Sequence, residues 1–146
     1  MFSADPGTGK STHTSIWQRV YGEERVRIIN DDKPAVRIME DKVYAYGTPW
    51  SGKTDKNRNM KAEVAGICIL RRGEENKIER YRGKEAILEL YRQTARSKDR
   101  KKTELIMETL NEIMKRVPVW QLTCNMEDEA ALVSYRSMSG KQSFRS

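Results

Sequence analysis

Residues 4–11 read ADPGTGKS, and this stretch decides the fold that we expect for the whole chain. It fits the broad form of a P-loop, with alanine in place of the first glycine. Gly7 and Gly9 allow successive backbone N–H groups to turn inward and surround an anion. Lys10 can reach the β- and γ-phosphates of a nucleotide, and the hydroxyl of Ser11 is suited to bind Mg²⁺. The motif therefore predicts a phosphate-binding loop; the alternative is an incidental glycine loop before a helix.

The residues on either side of the motif extend this prediction. Residues 12–19 (THTSIWQR) are predicted to form a helix whose N-terminus faces the phosphates. Three residues precede the motif, whereas a P-loop normally follows a strand of about five residues. We expect either an unusually short strand or, the interpretation we favour, a chain that lacks its leading strands. The residues predicted to bind the phosphates are Asp5, Pro6, Gly7, Thr8, Gly9, Lys10, Ser11 and Thr12.

A second motif follows at residues 25–32 (RVRIINDD). The β-branched run at 25–29 predicts a buried strand that ends at Asp31 and Asp32. A strand that delivers a carboxylate beside a P-loop is the arrangement that holds Mg²⁺. Because adjacent residues of a strand point to opposite sides, one aspartate can face the metal while the other accepts the proton of an incoming hydroxyl. The alternative interpretation is a turn with an Asx cap.

The rest of the chain alternates short strands with amphipathic helices. We expect a hairpin turn at residues 40–42, a long loop at 47–61, one domain over residues 1–138 and a flexible tail at 139–146. The fold class is α/β, with a mixed sheet flanked by helices. The predicted strands are 35–39, 43–46, 63–70, 77–80 and 117–124, and the further predicted helices are 83–95, 103–116 and 127–138.

Composition excludes several classes of protein. The 146 residues carry 28 Lys and Arg against 21 Asp and Glu, a net charge of +7. No apolar stretch approaches the roughly 20 residues that span a bilayer, so we expect no membrane partner. The basic clusters at 71–72 and 96–102 lack interleaved aromatic residues, which favours solvated surface over nucleic-acid binding. Cys68 and Cys124 lie in predicted buried strands and fit structural thiols of a cytoplasmic protein. His13 is interpreted as a polar residue of the helix face.

The P-loop, the Asp31–Asp32 pair and the GTPWSGK stretch at residues 47–53, in that order, resemble the catalytic core of HPr kinase/phosphorylase and of ATP-dependent phosphoenolpyruvate carboxykinase. The resemblance covers about residues 2–135. It implies a mixed sheet of that type, ATP bound by the P-loop, Mg²⁺ near Ser11 and Asp32, and Asp31 as the base. It also implies oligomers. We expect the chain to lack both the segment that precedes the P-loop in these families and the HPr kinase stretch that binds its protein substrate.

These patterns lead us to expect an ATP- and Mg²⁺-dependent phosphotransferase that acts on a hydroxyl of a protein, a peptide or a small molecule. The alternatives are a regulatory nucleotide-binding module related to phosphoenolpyruvate carboxykinase and, ranked last, a P-loop ATPase that acts on nucleic acid. The expected catalytic residues are Lys10, Asp31 and Lys53, and the expected metal ligands are Ser11 and Asp32. Further candidates for the site are Arg37, Thr48, Trp50, Ser51, Gly52, Asn57 and Asn59.

Overall fold

The structure is a computed structural model that describes residues 1–49 and 59–140. The described residues form a mixed α/β fold, as expected. In chain order its elements are β1 (Phe2–Ser3), α1 (Lys10–Tyr21), β2 (Ala35–Met39), β3 (Lys42–Tyr46), β4 (Lys61–Glu63), β5 (Ile67–Arg72), β6 (Lys77–Arg80), α2 (Gly83–Arg92), α3 (Arg100–Arg116), β7 (Val119–Cys124) and α4 (Asp128–Ser139).

The larger sheet has four strands in the order β1-β5-β7-β6. Strands β1, β5 and β7 are parallel, and β6 runs antiparallel to β7 at the edge. The carboxyl ends of the three parallel strands therefore meet at one edge of the sheet. In open α/β sheets this edge is where ligands bind. It carries the loop before α1, residue Arg72 and the turn between β7 and α4.

Strand β5 is the centre of the fold because it is covered on both faces. Ile67 and Ile69 belong to a core that α2 and α3 complete, whereas Cys68 and Leu70 belong to a second core on the side of α4. A continuous apolar run is typical of a strand that is buried on both faces. The predicted strand over 63–70 is thus confirmed as central, but both of its ends are wrong, since β5 runs from Ile67 to Arg72. Val64 is buried but lies outside the strand, and hydrophobicity alone does not distinguish a buried residue of a strand from a buried residue of a connecting segment.

The smaller sheet is the antiparallel order β2-β3-β4. Met39 pairs with Lys42, so the hairpin turn consists of Glu40 and Asp41, with φ angles of 50° and 65°. Two positive φ angles indicate a type I′ turn, which matches the twist of the flanking strands. The predicted hairpin is confirmed. Val43 of β3 packs in the same core as α2 and α3, so the two sheets share a hydrophobic core.

The predicted strand at residues 25–29 is not formed. The amides of Arg25 and Val26 instead bond to the carbonyl of Gly22, which makes a turn after α1. A strand needs a partner for its backbone, and on the side of β1 the sheet ends in a strand of only two residues. Despite their β-propensity, residues 25–29 therefore form no backbone ladder with a described strand. The double aspartate follows an irregular segment rather than a strand.

The helices confirm the predicted pattern, with shifted ends. Helix α2 ends at Arg92, earlier than predicted, and α4 includes Ser139. Helix α3 begins at Arg100 because the side chain of Asp99 accepts a hydrogen bond from the amide of Lys101. Among the described residues, no helix combines the length and apolar character needed to cross a bilayer. Most of the predicted tail, residues 141–146, lies outside the described residues.

Candidate functional site

Two glycines shape the loop between β1 and α1. Gly7 and Gly9 have φ angles of 80° and 105°, a region that residues with a side chain rarely adopt. The amide of Thr8 donates to the carbonyl of Asp5 over 3.1 Å, which closes a turn at the start of the loop. The two glycines then direct the chain into α1.

The first turn of α1 presents backbone amides that have no acceptor among the described residues. Gly9 caps the helix and provides no side-chain hydrogen bond. Within the part of the chain that the structure describes, no backbone acceptor outside the regular elements pairs with the amides of Lys10, Ser11 or Thr12. The side chains of Ser11 and Thr12 are exposed beside them. Helix N-termini carry a partial positive charge and bind phosphate through such amides.

Lys10 brings the two predicted motifs together. Its Nζ lies 3.9 Å from Oδ1 of Asp32, and the two side chains are 27% and 42% exposed. An ion pair this exposed adds little to stability. Its importance is positional, because it places a carboxylate at the first residue of the helix. Asp31, the other member of the pair, is half-buried.

An Asx turn, rather than a strand end, places the double aspartate. Oδ1 of Asn30 accepts hydrogen bonds from the amides of Asp32, at 2.9 Å, and Lys33, at 2.7 Å. Its Nδ2 donates to the carbonyl and to the hydroxyl of Thr48, and that hydroxyl donates to the carbonyl of Lys33. The turn interpretation is therefore confirmed. Through its hydrogen bonds with Thr48, the turn also holds the aspartates beside the start of the GTPWSGK stretch.

Two side chains hold the loop between β1 and α1 from outside. Arg72, at the end of β5, donates from Nη2 to the carbonyl of Gly7 over 2.6 Å and from Nε to that of Thr8 over 3.1 Å. Gln93, just after α2, donates to Oδ1 of Asp5 over 2.8 Å. The sequence interpretation of Arg72 as solvated surface missed this contact. The available signal was its place at the carboxyl end of the central apolar run.

A buried carboxylate lies on the other face of β5. Glu89 is 5% exposed, and its Oε2 lies 3.3 Å from Nη2 of Arg71 and 3.5 Å from Nη1 of Arg92. Because successive residues of a strand alternate in direction, Arg71 and Arg72 serve opposite faces of the sheet. Arg71 joins β5 to α2, whose last turn precedes Gln93. The contact between Arg71 and Glu89 was not anticipated, since the two residues are distant in sequence.

His13 is on α1, as predicted, but it faces the interior. It is 2% exposed, its ring packs against Phe2, and its Nε2 accepts a hydrogen bond from Nε1 of Trp17 over 3.2 Å. Burial lowers the pKa of His13 to about 4. The imidazole is therefore neutral at physiological pH and belongs to the packing of α1 against Ser134 of α4.

A small cavity of about 20 Å³ lies between the loop that precedes α1 and the turn after β7. Thr12 and Met126 are among the residues that line it. Its volume is enough for about one water molecule. Cys124 also lines it, and burial raises the pKa of this thiol. Cys68 is fully buried, and burial raises the pKa of its thiol to about 12. Both cysteines are free.

Two of the remaining predicted site residues lie within the part of the chain that the structure describes. Arg37 and Asn59 are exposed, on β2 and just before β4. Within residues 1–49 and 59–140, no three His, Cys, Asp or Glu side chains are grouped to hold a metal ion. The candidates that lie outside the described residues are Trp50, Ser51, Gly52, Lys53 and Asn57.

The chain was compared with protein-family models, curated proteins and solved structures, and none of them matches it. The site is therefore defined by its own geometry. A glycine loop leads into a helix with uncapped amides, a lysine of that helix meets an aspartate, and an arginine and a glutamine hold the loop.

Proposed function

We propose that this chain is an ATP- and Mg²⁺-dependent phosphotransferase that transfers the γ-phosphate of ATP to a hydroxyl of a protein, peptide or small-molecule acceptor. The proposal takes the HPr kinase/phosphorylase-like core, which the motifs resemble, as its framework. The observation that carries it is the distance of 3.9 Å between Nζ of Lys10 and Oδ1 of Asp32. This contact brings the glycine motif at residues 4–11 next to the double aspartate, which lies further along the chain.

Phosphate binding is assigned to the loop and the first turn of α1. The amides of Lys10, Ser11 and Thr12 have no acceptor among the described residues, and they lie at the positive end of the helix. The ammonium group of Lys10 adds a full charge at the same place. Asp32 holds that ammonium group in the free protein, and an arriving phosphate competes for it.

The residues at this place fit a Mg²⁺ ion that arrives with the nucleotide. Mg²⁺ takes one or two protein oxygens and completes its shell with water and phosphate oxygens. The exposed hydroxyl of Ser11 and the carboxylate of Asp32 are oxygen donors of this kind. The ion, when bound, neutralises charge on the phosphate oxygens. We assign Ser11 and Asp32 to it.

Asp31 is assigned the role of base. It is the middle residue of the Asx turn of Asn30, so its backbone is positioned by the bonds from the amides of Asp32 and Lys33 to Oδ1 of Asn30. A carboxylate here accepts the proton of the attacking hydroxyl, while the loop aligns the phosphate. Lys53 is proposed to approach the γ-phosphate. It lies outside the described residues, in a stretch that begins beside Thr48.

Acceptor-dependent release of ADP from MgATP tests this function. Suitable probes are a library of serine- and threonine-containing peptides and a set of sugars and other small alcohols. We expect at least one acceptor to raise ADP release, and Asp31→Asn to lower the stimulated rate by at least about 100-fold, the typical contribution of a general base. Asp41→Asn, on the exposed hairpin turn, is the matched control and should leave the rate unchanged.

The alternative, a nucleotide-binding module without turnover, predicts a different outcome. In that case the wild-type chain binds MgATP, yet no acceptor of either class raises ADP release. Equal stimulated rates in the wild type and in Asp31→Asn would contradict the role of Asp31 specifically. The two results are distinguishable because the second one requires turnover.

A further inference from the structure

Arg72 makes two hydrogen bonds to the phosphate loop, so its role goes beyond that of a solvated surface charge. Two different nitrogen atoms of one guanidinium group donate to two consecutive carbonyls of the loop, those of Gly7 and Thr8. Both donors belong to one planar group, so the contact fixes orientation as well as distance. The loop is otherwise exposed around Gly7.

The planarity of the peptide bond carries this constraint to the amides. In a trans peptide, the C=O of one residue and the N–H of the next point in opposite directions. Holding the Thr8 carbonyl against Arg72 therefore directs the Gly9 amide away from Arg72. The Gly9 amide immediately precedes the uncapped amides of α1. Arg72 thus sets the direction of an amide that an anion nest requires.

The end of β5 is itself held in place. Gly73 donates its amide to the carbonyl of Cys124 over 3.1 Å. A Cβ atom at Gly73 would lie 2.3 Å from Cγ2 of Thr123, so the backbone here is packed closely against β7. In the register of the sheet, Arg72 pairs with Cys124. The guanidinium group therefore extends from an anchored backbone rather than from a loose turn.

We propose that Arg72 is a positioning residue for polyphosphate binding. Its guanidinium group holds the carbonyls of Gly7 and Thr8 outward, keeps the Gly9 amide available to an anion before the ligand arrives, and places a positive charge behind the loop. The inference rests on the proposed function, since it requires that the loop binds phosphate. It predicts that the two-point geometry of Arg72 matters in addition to its charge.

Titration calorimetry with inorganic pyrophosphate, and separately with MgATP, tests this inference on the full chain. Arg72→Gln removes both the fork and the charge, and we expect about tenfold weaker binding, which corresponds to about 1.4 kcal/mol. Arg72→Lys keeps the charge without the fork, and we expect an affinity closer to that of Arg72→Gln than to that of the wild type. Lys77→Gln, which removes an exposed charge from β6, should bind as the wild type does.

A second measurement needs no ligand. In the free protein, the backbone ¹⁵N–¹H signal of Gly9 should be shifted or broadened in Arg72→Gln and in Arg72→Lys, and unchanged in Lys77→Gln. Thermal unfolding midpoints should agree among all four proteins, because the side chain of Arg72 is on the surface. A role in folding alone would move the midpoint and leave the affinity of the folded protein intact.

The outcomes separate this inference from the function on which it rests. If the wild type binds neither pyrophosphate nor MgATP, the proposed function fails and the inference fails with it. If the wild type binds and Arg72→Gln binds equally well, only the inference fails. If Arg72→Lys binds as the wild type does, charge suffices and the positioning role is overturned.

Discussion

Nε2 of Gln93 lies 2.8 Å from Oδ1 of Asp5, across 88 positions of sequence. The bond joins the end of α2 to the beginning of the loop that precedes α1. The carbonyl of Asp5 also accepts the amide of Thr8, so Gln93 holds the residue on which the first turn of the loop is built. Together with Arg72, it fixes the loop at two points before any ligand is present.

Loss of the Gln93 contact should weaken nucleotide binding without unfolding the protein. Gln93→Ala removes one hydrogen bond to a charged acceptor at an exposed position, so we expect a change of about 1 kcal/mol or less in the free energy of unfolding. The affinity for MgATP should fall by about two- to fivefold. Calorimetry measures the affinity, and urea titration measures the stability. Asn111→Ala, exposed on α3, is the control; equal affinities in Gln93→Ala and the control would contradict a role for this bond.

The close packing at Gly73 predicts that Gly73→Ala is destabilising and that a second substitution, Thr123→Ser, reduces this loss of stability. In Gly73→Ala, the new Cβ meets Cγ2 of Thr123 at 2.3 Å, and such overpacking lowers the free energy of unfolding by about 1–3 kcal/mol. Thr123→Ser removes Cγ2, and the next neighbour on that side chain is Cβ at 3.7 Å. Urea unfolding of the four proteins in the cycle should show less than half the loss in the Thr123→Ser background. An equal loss in both backgrounds would show that the contact is not responsible.

The network around Glu89 should contribute to stability through its buried carboxylate. Arg71→Ala removes one of two guanidinium partners of a side chain that is 6% exposed. We expect the free energy of unfolding to fall by about 1–3 kcal/mol, the usual effect of leaving a buried group short of a partner. Lys115→Ala, an exposed i,i+3 pair on α3, should change stability by less than about 0.5 kcal/mol. Urea unfolding compares the two, and a loss as small in Arg71→Ala as in the control contradicts the role of the network.

His13 predicts a pH dependence with a definite sign. Its pKa is lowered from 6.5 to about 4 by burial, so the unfolded chain binds a proton between these values and the folded chain does not. Stability is therefore full above pH 6.5 and is lost as the pH falls toward 4. Between pH 6.5 and pH 5, we expect the free energy of unfolding to decrease by about 1.5 kcal/mol from this residue.

His13→Leu is the matched variant for this measurement. It removes the titrating group and leaves Nε1 of Trp17 bonded to the hydroxyl of Ser134 at 3.0 Å. Urea unfolding at several pH values should show a smaller slope for the variant between pH 6.5 and pH 5. Parallel curves for the two proteins would mean that His13 does not titrate on unfolding in this range.

Local patterns in the sequence were enough to predict the main elements. The alternation of β2 and β3 and the two-residue turn at Glu40 and Asp41 are local, as is the glycine loop before α1. These features depend on residues within a few positions of one another. The predicted helices shifted mainly at their ends, where propensity is weakest.

The features that were not predicted depend on partners far away in the chain. Residues 25–29 have the composition of a strand, but the sheet offers them no neighbouring ladder. Arg72 contacts the loop that precedes α1 across 65 positions, and Glu89 contacts Arg71 through the packing of α2 on β5. No short window of sequence contains both members of such a pair. Asp32 does lie near Lys10, as expected, but the Asx turn of Asn30 positions it there rather than the end of a strand.

The measurement that tests the central claim most directly is a calorimetric titration of MgATP into the wild type and Lys10→Ala, with Lys77→Ala as the exposed-charge control. If the loop at residues 4–12 binds nucleotide phosphates, the wild type and the control bind MgATP, and Lys10→Ala binds at least about tenfold more weakly, since a charge-assisted contact to phosphate is lost. Absence of binding by the folded wild type, or equal binding by Lys10→Ala, would contradict the phosphate-loop assignment and with it the proposed transferase activity.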